Sequence, residues 1–267
     1  MNPVYGTVEQ VEWLSPSMVR IVLGGAGLDH FEASDATDQY VNARFVPDGA
    51  PYSVPFDDET IEAVDAAFRP RNRRYTVRYW DAEQRRLTID FVAHGDVGYA
   101  GRWAQRAAVG DRLQISNASG NYRPDPSADW HLLVGDESAL PAIAASLDAL
   151  APTASGVAIV VVDRPDDEFE LTAPAGVDVR WLHRCTAAVP ETLALDAVTA
   201  LDWRPGTVDV FVHGEAAEVR SVRQHLIADR GIDRDGASIS PYWRRGHTDE
   251  AWREIKRQWM AEQAADA

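Results

Sequence analysis

The chain has 267 residues, 45% hydrophobic and 25% charged, and no apolar run approaches the roughly 20 residues that a membrane-spanning helix needs. Asp and Glu number 42 against 26 Lys and Arg, and the formal charge of -16 argues against nucleic-acid binding, whose usual footprint is basic. The N-terminus has no basic segment followed by an apolar one, and Cys185 is the only cysteine. Both features point to a cytoplasmic protein without an intramolecular disulfide, a cysteine-ligated iron–sulfur cluster or a four-cysteine zinc site. Cys185 itself reads as a small buried hydrophobe.

Val4–Leu14 and Met18–Leu23 are predicted as a strand pair broken at Ser15-Pro16, with further strands at Tyr40–Val46, Arg73–Trp80, Leu87–Ala93 and Arg112–Ser116. Six short strands predict a closed or sandwiched antiparallel β domain. Gly24-Gly25-Ala26-Gly27 reads as a plain turn, because no helix follows it and the spacing is not GxGxxG. A helix over Tyr99–Ala108 follows the fifth strand. The proline-flanked acidic stretch Pro124–Asp129 marks a boundary, giving domains 1–125 and 126–267. Beyond it, strands at His131–Val134, Val157–Val162, Val177–His183, Val208–His213 and Ala237–Trp243 alternate with helices at Ala139–Leu150, Ala216–Asp229 and Asp249–Glu262. This rhythm predicts a Rossmann-like α/β domain with a mostly parallel five-stranded sheet.

Lys256 is the only lysine, and the arginines cluster: Arg69, Arg71, Arg73, Arg74 and Arg78 in one stretch, Arg244, Arg245, Arg253 and Arg257 in another. Guanidinium groups clamp phosphates and carboxylates bidentately, so the clusters are candidate anion sites. On a strand, Arg74, Thr76 and Arg78 share one face while Tyr75 offers an aromatic plane on the other, an arrangement for a flat phosphorylated cofactor or for an exposed edge strand. From Asp90 to Ala104 a strand ends at a glycine-bearing loop and a helix begins, which leaves backbone N–H groups where a pyrophosphate could sit. No histidine pair has metal-ligand spacing, and no protein metal site is expected. In the C-terminal block, Trp252, Ile255 and Trp259 have the spacing of an inward helix face.

Arg73-Arg74-Tyr75-Thr76, His94-Gly95-Asp96-Val97-Gly98 with Trp103-Ala104, Gly135-Asp136-Glu137-Ser138-Ala139-Leu140-Pro141-Ala142-Ile143, His213-Gly214-Glu215 and Tyr242-Trp243-Arg244-Arg245-Gly246 resemble, in order, the motifs of the siderophore-interacting protein family. These are ferric-siderophore reductases among the ferredoxin-reductase-like flavoproteins, and the resemblance spans about residues 5 to 260. Ser138 stands where the family has Thr, Tyr99 where Pro is common, and Ser116–Gly120 departs from the usual Gly-Pro-x-Gly.

The resemblance implies a six-stranded FAD-binding barrel followed by an NAD(P)-binding-like domain. It implies Arg73 on the FAD phosphates, Tyr75 against the isoalloxazine, Thr76 near its N5 edge, and the 94–103 segment on the pyrophosphate through Gly98. Asp90, His94, Gly95, Asp96, Ala100 and Trp103 complete the candidate flavin-binding set. Asp136, Glu137, Ser138, Ala139, Gly214, Glu215 and Trp243 would line the nicotinamide side, where open α/β sheets place ligands. Arg244, Arg245 and Lys256 are the candidates for an anionic ferric siderophore.

The expected activity is FAD-dependent reduction of an imported ferric siderophore, with NADPH, NADH or a ferredoxin as electron donor. Asp163, at a strand end, suits a ribose 2′-hydroxyl and so NADH, whereas the resemblance implies NADPH. The alternatives are a flavin oxidoreductase with another acceptor and a siderophore-binding protein without turnover.

Overall fold

The computed structural model describes residues 3–93, 98–234 and 236–265, with side-chain surroundings through residue 261. The chain forms two compact units, Met1–Arg123 and Pro124–Ala267. In the first, β1 (Val4–Ser15), β2 (Met18–Gly24), β3 (Tyr40–Phe45), β4 (Arg71–Asp81), β5 (Arg86–Val92) and β6 (Arg112–Ile115) close into a barrel in the order β1-β2-β5-β4-β3-β6. All its pairings are antiparallel, and β6 closes onto β1 with Val4 opposite Ile115.

The barrel interior follows from period-two patterning: Val19, Ile21 and Leu23 of β2, Val41, Ala43 and Phe45 of β3, and Leu87, Ile89 and Phe91 of β5 are all buried in one cluster. Each Val, Leu, Ile or Phe among them contributes about 1.5–3 kcal/mol by leaving water. In β4 the alternation stops at Arg78. A register shift between Val77 and Tyr79 places one extra residue there against β5, so Tyr75 and Val77 pack with the barrel cluster before the bulge and Trp80 after it. The single face expected for Arg74, Thr76 and Arg78 is therefore interrupted at its last member. Between β3 and β4 lies α1 (Asp58–Ala63), a short helix capped by Asp57 that buries nothing and so left no periodic signal. After β5 comes α2 (Tyr99–Arg106), with Ala100 and Ala104 buried against the barrel cluster.

The second unit is a fully parallel sheet in the order β11-β10-β7-β8-β9, built from β7 (Trp130–Asp136), β8 (Ser155–Val162), β9 (Gly176–His183), β10 (Val208–Glu215) and β11 (Ala237–Trp243). Every residue of β7 is buried, as expected of a central parallel strand covered on both faces. The helices are α3 (Leu140–Ala149), α4 (Leu193–Thr199), α5 (Ala216–Ala228) and α6 (Asp249–Ala265). Ala194 and Val198 of α4 and Val219, Val222 and Leu226 of α5 pack on Leu132, Val134, Val210 and Val212. α4 lies in a stretch where no helix was expected; its signal is the apolar spacing Leu193, Ala194, Ala197, Val198 after Pro190. α6 turns Trp252, Ile255 and Trp259 to one side, with Trp252 buried against the edge of Trp259.

Cys185 corrects its expectation. It is exposed, in a surface turn following the edge strand β9, its N–H bound to the Asp163 carbonyl. Among the described residues no helix is long and apolar enough to cross a membrane.

Candidate functional site

In the barrel unit, three of the candidate residues, Gly98, Ala100 and Trp103, lie at or within α2. Gly98 precedes it with φ +91°, a conformation that suits glycine, and a Cβ built there would meet nothing within 4 Å among the described residues. Among the described residues no side chain caps the helix, and no acidic residue lies in its first turn, so the leading N–H groups and the positive end of the helix dipole are left without a described acceptor. Arg71 and Arg102 both lie 5.6 Å from the Tyr99 ring centroid, which brings two guanidinium groups to this helix start. Arg102 also donates to the Gly98 carbonyl at 3.0 Å. Helix-start amides without a described cap and paired arginines are the donor set a pyrophosphate requires.

Tyr75 is half-buried, 4.4 Å from the Phe91 centroid, and Phe91 and Phe45 each lie 5.7 Å from Trp103. Trp103 thus joins α2 to the aromatic cluster beneath Tyr75, and Ala100 is buried beside it. Arg73 is partly exposed and donates to the Asn72 carbonyl. Arg74 instead lies over the ring of Tyr40. Thr76 is buried although it points away from the barrel interior. Asp90 has a structural role: both its oxygens accept from Arg20, at 2.7 and 2.8 Å, across the β2–β5 pair. His94, Gly95 and Asp96 lie outside the described residues.

In the α/β unit, β7 is flanked by β8, reached through α3, and by β10, which arrives later in the chain. This reversal of strand order is the place where open sheets leave a crevice at their carboxyl ends. A cavity there is lined by Gly135, Asp136, Gly214, Glu215 and Glu218, among others. Asp136, buried, ties the strand ends together. Its Oδ1 accepts from the N–H and hydroxyl of Ser138, and its Oδ2 from the Glu215 N–H at 2.8 Å and Trp243 Nε1 at 2.7 Å. A Cβ at Gly214, whose φ is +145°, would lie 2.8 Å from that Oδ2. Glu215 caps α5 through Oε2, which accepts from the N–H groups of Ala217 and Glu218, while its Oε1 accepts from the Arg245 N–H. Ala139 is fully buried at the start of α3.

Three further residues join this edge: His213, from the His213-Gly214-Glu215 motif, and Arg184 and Glu218, which were not among the candidates. Arg184, after β9, grips both oxygens of Glu137 at 2.5 and 2.9 Å and reaches Asp163 at 2.9 Å. Burial raises the Glu137 carboxyl above its usual range, and the carboxylates hold Arg184 charged. Glu218 is buried and pushed up to about 7, chiefly by desolvation, with Arg245 donating to it at 2.8 Å. His213 is driven down to about 3 by burial and the charge of Lys256, and its Nε2 bonds the Ser238 hydroxyl.

Of the three cations proposed for substrate, Arg245 bridges Glu191 and Glu218, and Lys256 donates to the Pro241 carbonyl at 2.6 Å, tying α6 to β11. Arg244 is partly buried and has no side-chain partner among the described residues.

Comparison with known proteins agrees with this division. The siderophore-interacting FAD-binding domain model matches residues 7–122, and the siderophore-interacting protein model matches 128–246. The ferric vibriobactin reductase of Vibrio cholerae is 32% identical over 94% of this chain and 93% of its own. The NADPH-dependent ferric-chelate reductase of Escherichia coli is 30% identical over 89% and 91%. A siderophore utilization protein from T. fusca superposes with a TM-score of 0.78 at 35% identity, covering 92% of this chain and 94% of that one. Its two matched halves and its full-length relatives make the chain a member of the siderophore-interacting protein family.

Proposed function

We propose that the protein is an FAD-dependent reductase of ferric siderophores, taking electrons from a reduced nicotinamide dinucleotide. The observation that carries this reading is the uncapped, arginine-flanked start of α2 at Gly98, inside a domain matched to FAD binding. Arg73 and the leading amides of α2 would hold the FAD phosphates, Tyr75 would lie against the isoalloxazine, and Thr76 would meet its N5 edge. Bound FAD would supply the conversion of a two-electron donor to one-electron delivery. Overall, one dinucleotide reduces two Fe(III) to two Fe(II) and releases one proton. The protein need not ligate iron: Fe(II) is bound less tightly by hard oxygen chelators than Fe(III), so reduction releases it in the cytoplasm.

The α/β unit would present the donor at the β7/β10 crevice, lined by Asp136, Glu137, Ser138, Gly214, Glu215 and Trp243. Arg244 is the strongest of the three cations for an anionic siderophore, because Arg245 and Lys256 are held within the fold.

The test uses the full chain loaded with FAD, desalted and reduced anaerobically with NADH or NADPH. Adding a ferric siderophore should reoxidise the flavin and yield Fe(II), trapped by a ferrous chelator. Reoxidation no faster than by free reduced flavin at equal concentration would contradict the reading.

A further inference from the structure

We infer that Asp163, with Arg184 pinned behind it, makes the α/β unit selective for a donor with a free adenosine 2′-hydroxyl, NADH rather than NADPH. The inference rests on the reading of this unit as the donor site. It separates the chain from the Escherichia coli relative, whose name specifies NADPH.

Asp163 directly follows β8, the strand next to β7 on the side reached by the first crossover. A dinucleotide laid across the carboxyl ends of such a sheet meets this position with its adenosine ribose, and a carboxylate there accepts from the 2′-hydroxyl. The Asp163 side chain is 69% exposed. Its Oδ1 accepts from Arg184, and its Oδ2 has no partner among the described residues.

Arg184 is the nearby group that would otherwise welcome a 2′-phosphate, and it is held elsewhere. Its side chain is 14% exposed, and both terminal nitrogens bind Glu137, itself 14% exposed, through both carboxylate oxygens. Swinging toward a phosphate would strand a buried carboxylate. With Glu137 and Asp163 both facing one guanidinium, the cluster carries net negative charge. The turn after β8 adds Asp166, Asp167, Glu168 and Glu170 against Arg164 alone. Asp167 accepts from the Arg164 N–H, and Glu168 bonds His183, so these acids are fixed close by. A phosphomonoester carries about -1.5 to -2 charge at neutral pH and is repelled here, whereas a hydroxyl is a neutral donor for Asp163.

The test measures binding apart from turnover. The FAD-loaded full chain is titrated calorimetrically with 5′-AMP and with adenosine 2′,5′-bisphosphate, and flavin reduction by NADH and NADPH is followed in parallel. The expected result is at least roughly tenfold tighter binding of AMP and a similar advantage in kcat/KM for NADH. Asp163→Asn, close in shape, should bring both ratios toward unity. Arg164→Ala, which removes the other cation of the turn, should leave the NADH preference in place. Equal or tighter bisphosphate binding, an NADPH preference, or unchanged ratios in Asp163→Asn would overturn the selectivity while leaving the donor site standing. If neither nucleotide binds nor either dinucleotide reduces the flavin, the donor reading falls and the selectivity with it.

Discussion

The starts of α2 and α5 are both places where this fold offers backbone N–H groups to an anion, and the chain treats them in opposite ways. At α2 the capping position is Gly98, which brings no acceptor, and Arg71 and Arg102 stand beside it. At α5 the capping position is Glu215, whose own carboxylate takes the amides of Ala217 and Glu218, while Asp136 takes the Glu215 amide. One anion seat is open and cationic; the other is filled by the chain's own carboxylates. A helix N-terminus therefore invites a phosphate only when its cap residue leaves the amides exposed. The proposed function needs this contrast, a flavin held tightly and a donor held loosely.

The largest expected effect comes from emptying the filled seat. Asp136→Ala leaves the buried Glu215 N–H and Trp243 Nε1 without their acceptor and should cost about 3–5 kcal/mol of stability in the α/β unit. Thermal unfolding reads this directly. Gly214→Ala combines a left-handed φ with a Cβ driven toward the Asp136 carboxylate, and should cost about 3 kcal/mol. Gly98→Ala has the same kind of backbone strain but open space around the new Cβ, so about 1 kcal/mol is expected in the barrel unit. Its clearer signature is flavin retention after desalting, which should fall as the helix start is reshaped.

A smaller effect separates the buried carboxylates by pH. The folded value of Glu218, about 7, lies above the ordinary 4.5, so the folded state binds its proton more tightly. This group's contribution is greatest when protonated and is lost as pH rises from about 4.5 through about 7. Glu218→Gln should therefore gain stability relative to the parent across that window, on the order of 1 kcal/mol by its upper end. His213 has the opposite sign. Its folded value of about 3 means stability is lost as pH falls below about 6.5, and a neutral replacement should flatten that limb. At the bottom of the scale, Arg86→Ala removes an exposed pair with Glu9 and should change unfolding by less than about 0.5 kcal/mol.

The strands, the barrel and the parallel sheet were legible because burial imposes period two on β2, β3 and β5 and continuous apolar runs on β7 and β8. The bulge at Arg78 was not, since it depends on how β4 meets β5 and not on β4 alone. The exposed turn that holds Cys185 and the short helix α4 were missed for a related reason: neither is set by a long local pattern. At the crevice, Asp136, Gly214 and Glu215 could be placed from strand ends. Their tertiary partners could not, because Trp243 reaches Asp136 across 107 residues and Arg184 reaches Glu137 across 47. Arginine at a strand end of a parallel sheet was the one available signal for Arg184.

The most direct measurement titrates the same flavin-free full-length protein with FAD and with NAD⁺ and compares the two dissociation constants. An open cationic seat in one unit and a self-filled one in the other predict FAD bound at least about 100-fold more tightly. Equal affinities, or a protein that emerges colourless from desalting after saturation with FAD, would contradict the account.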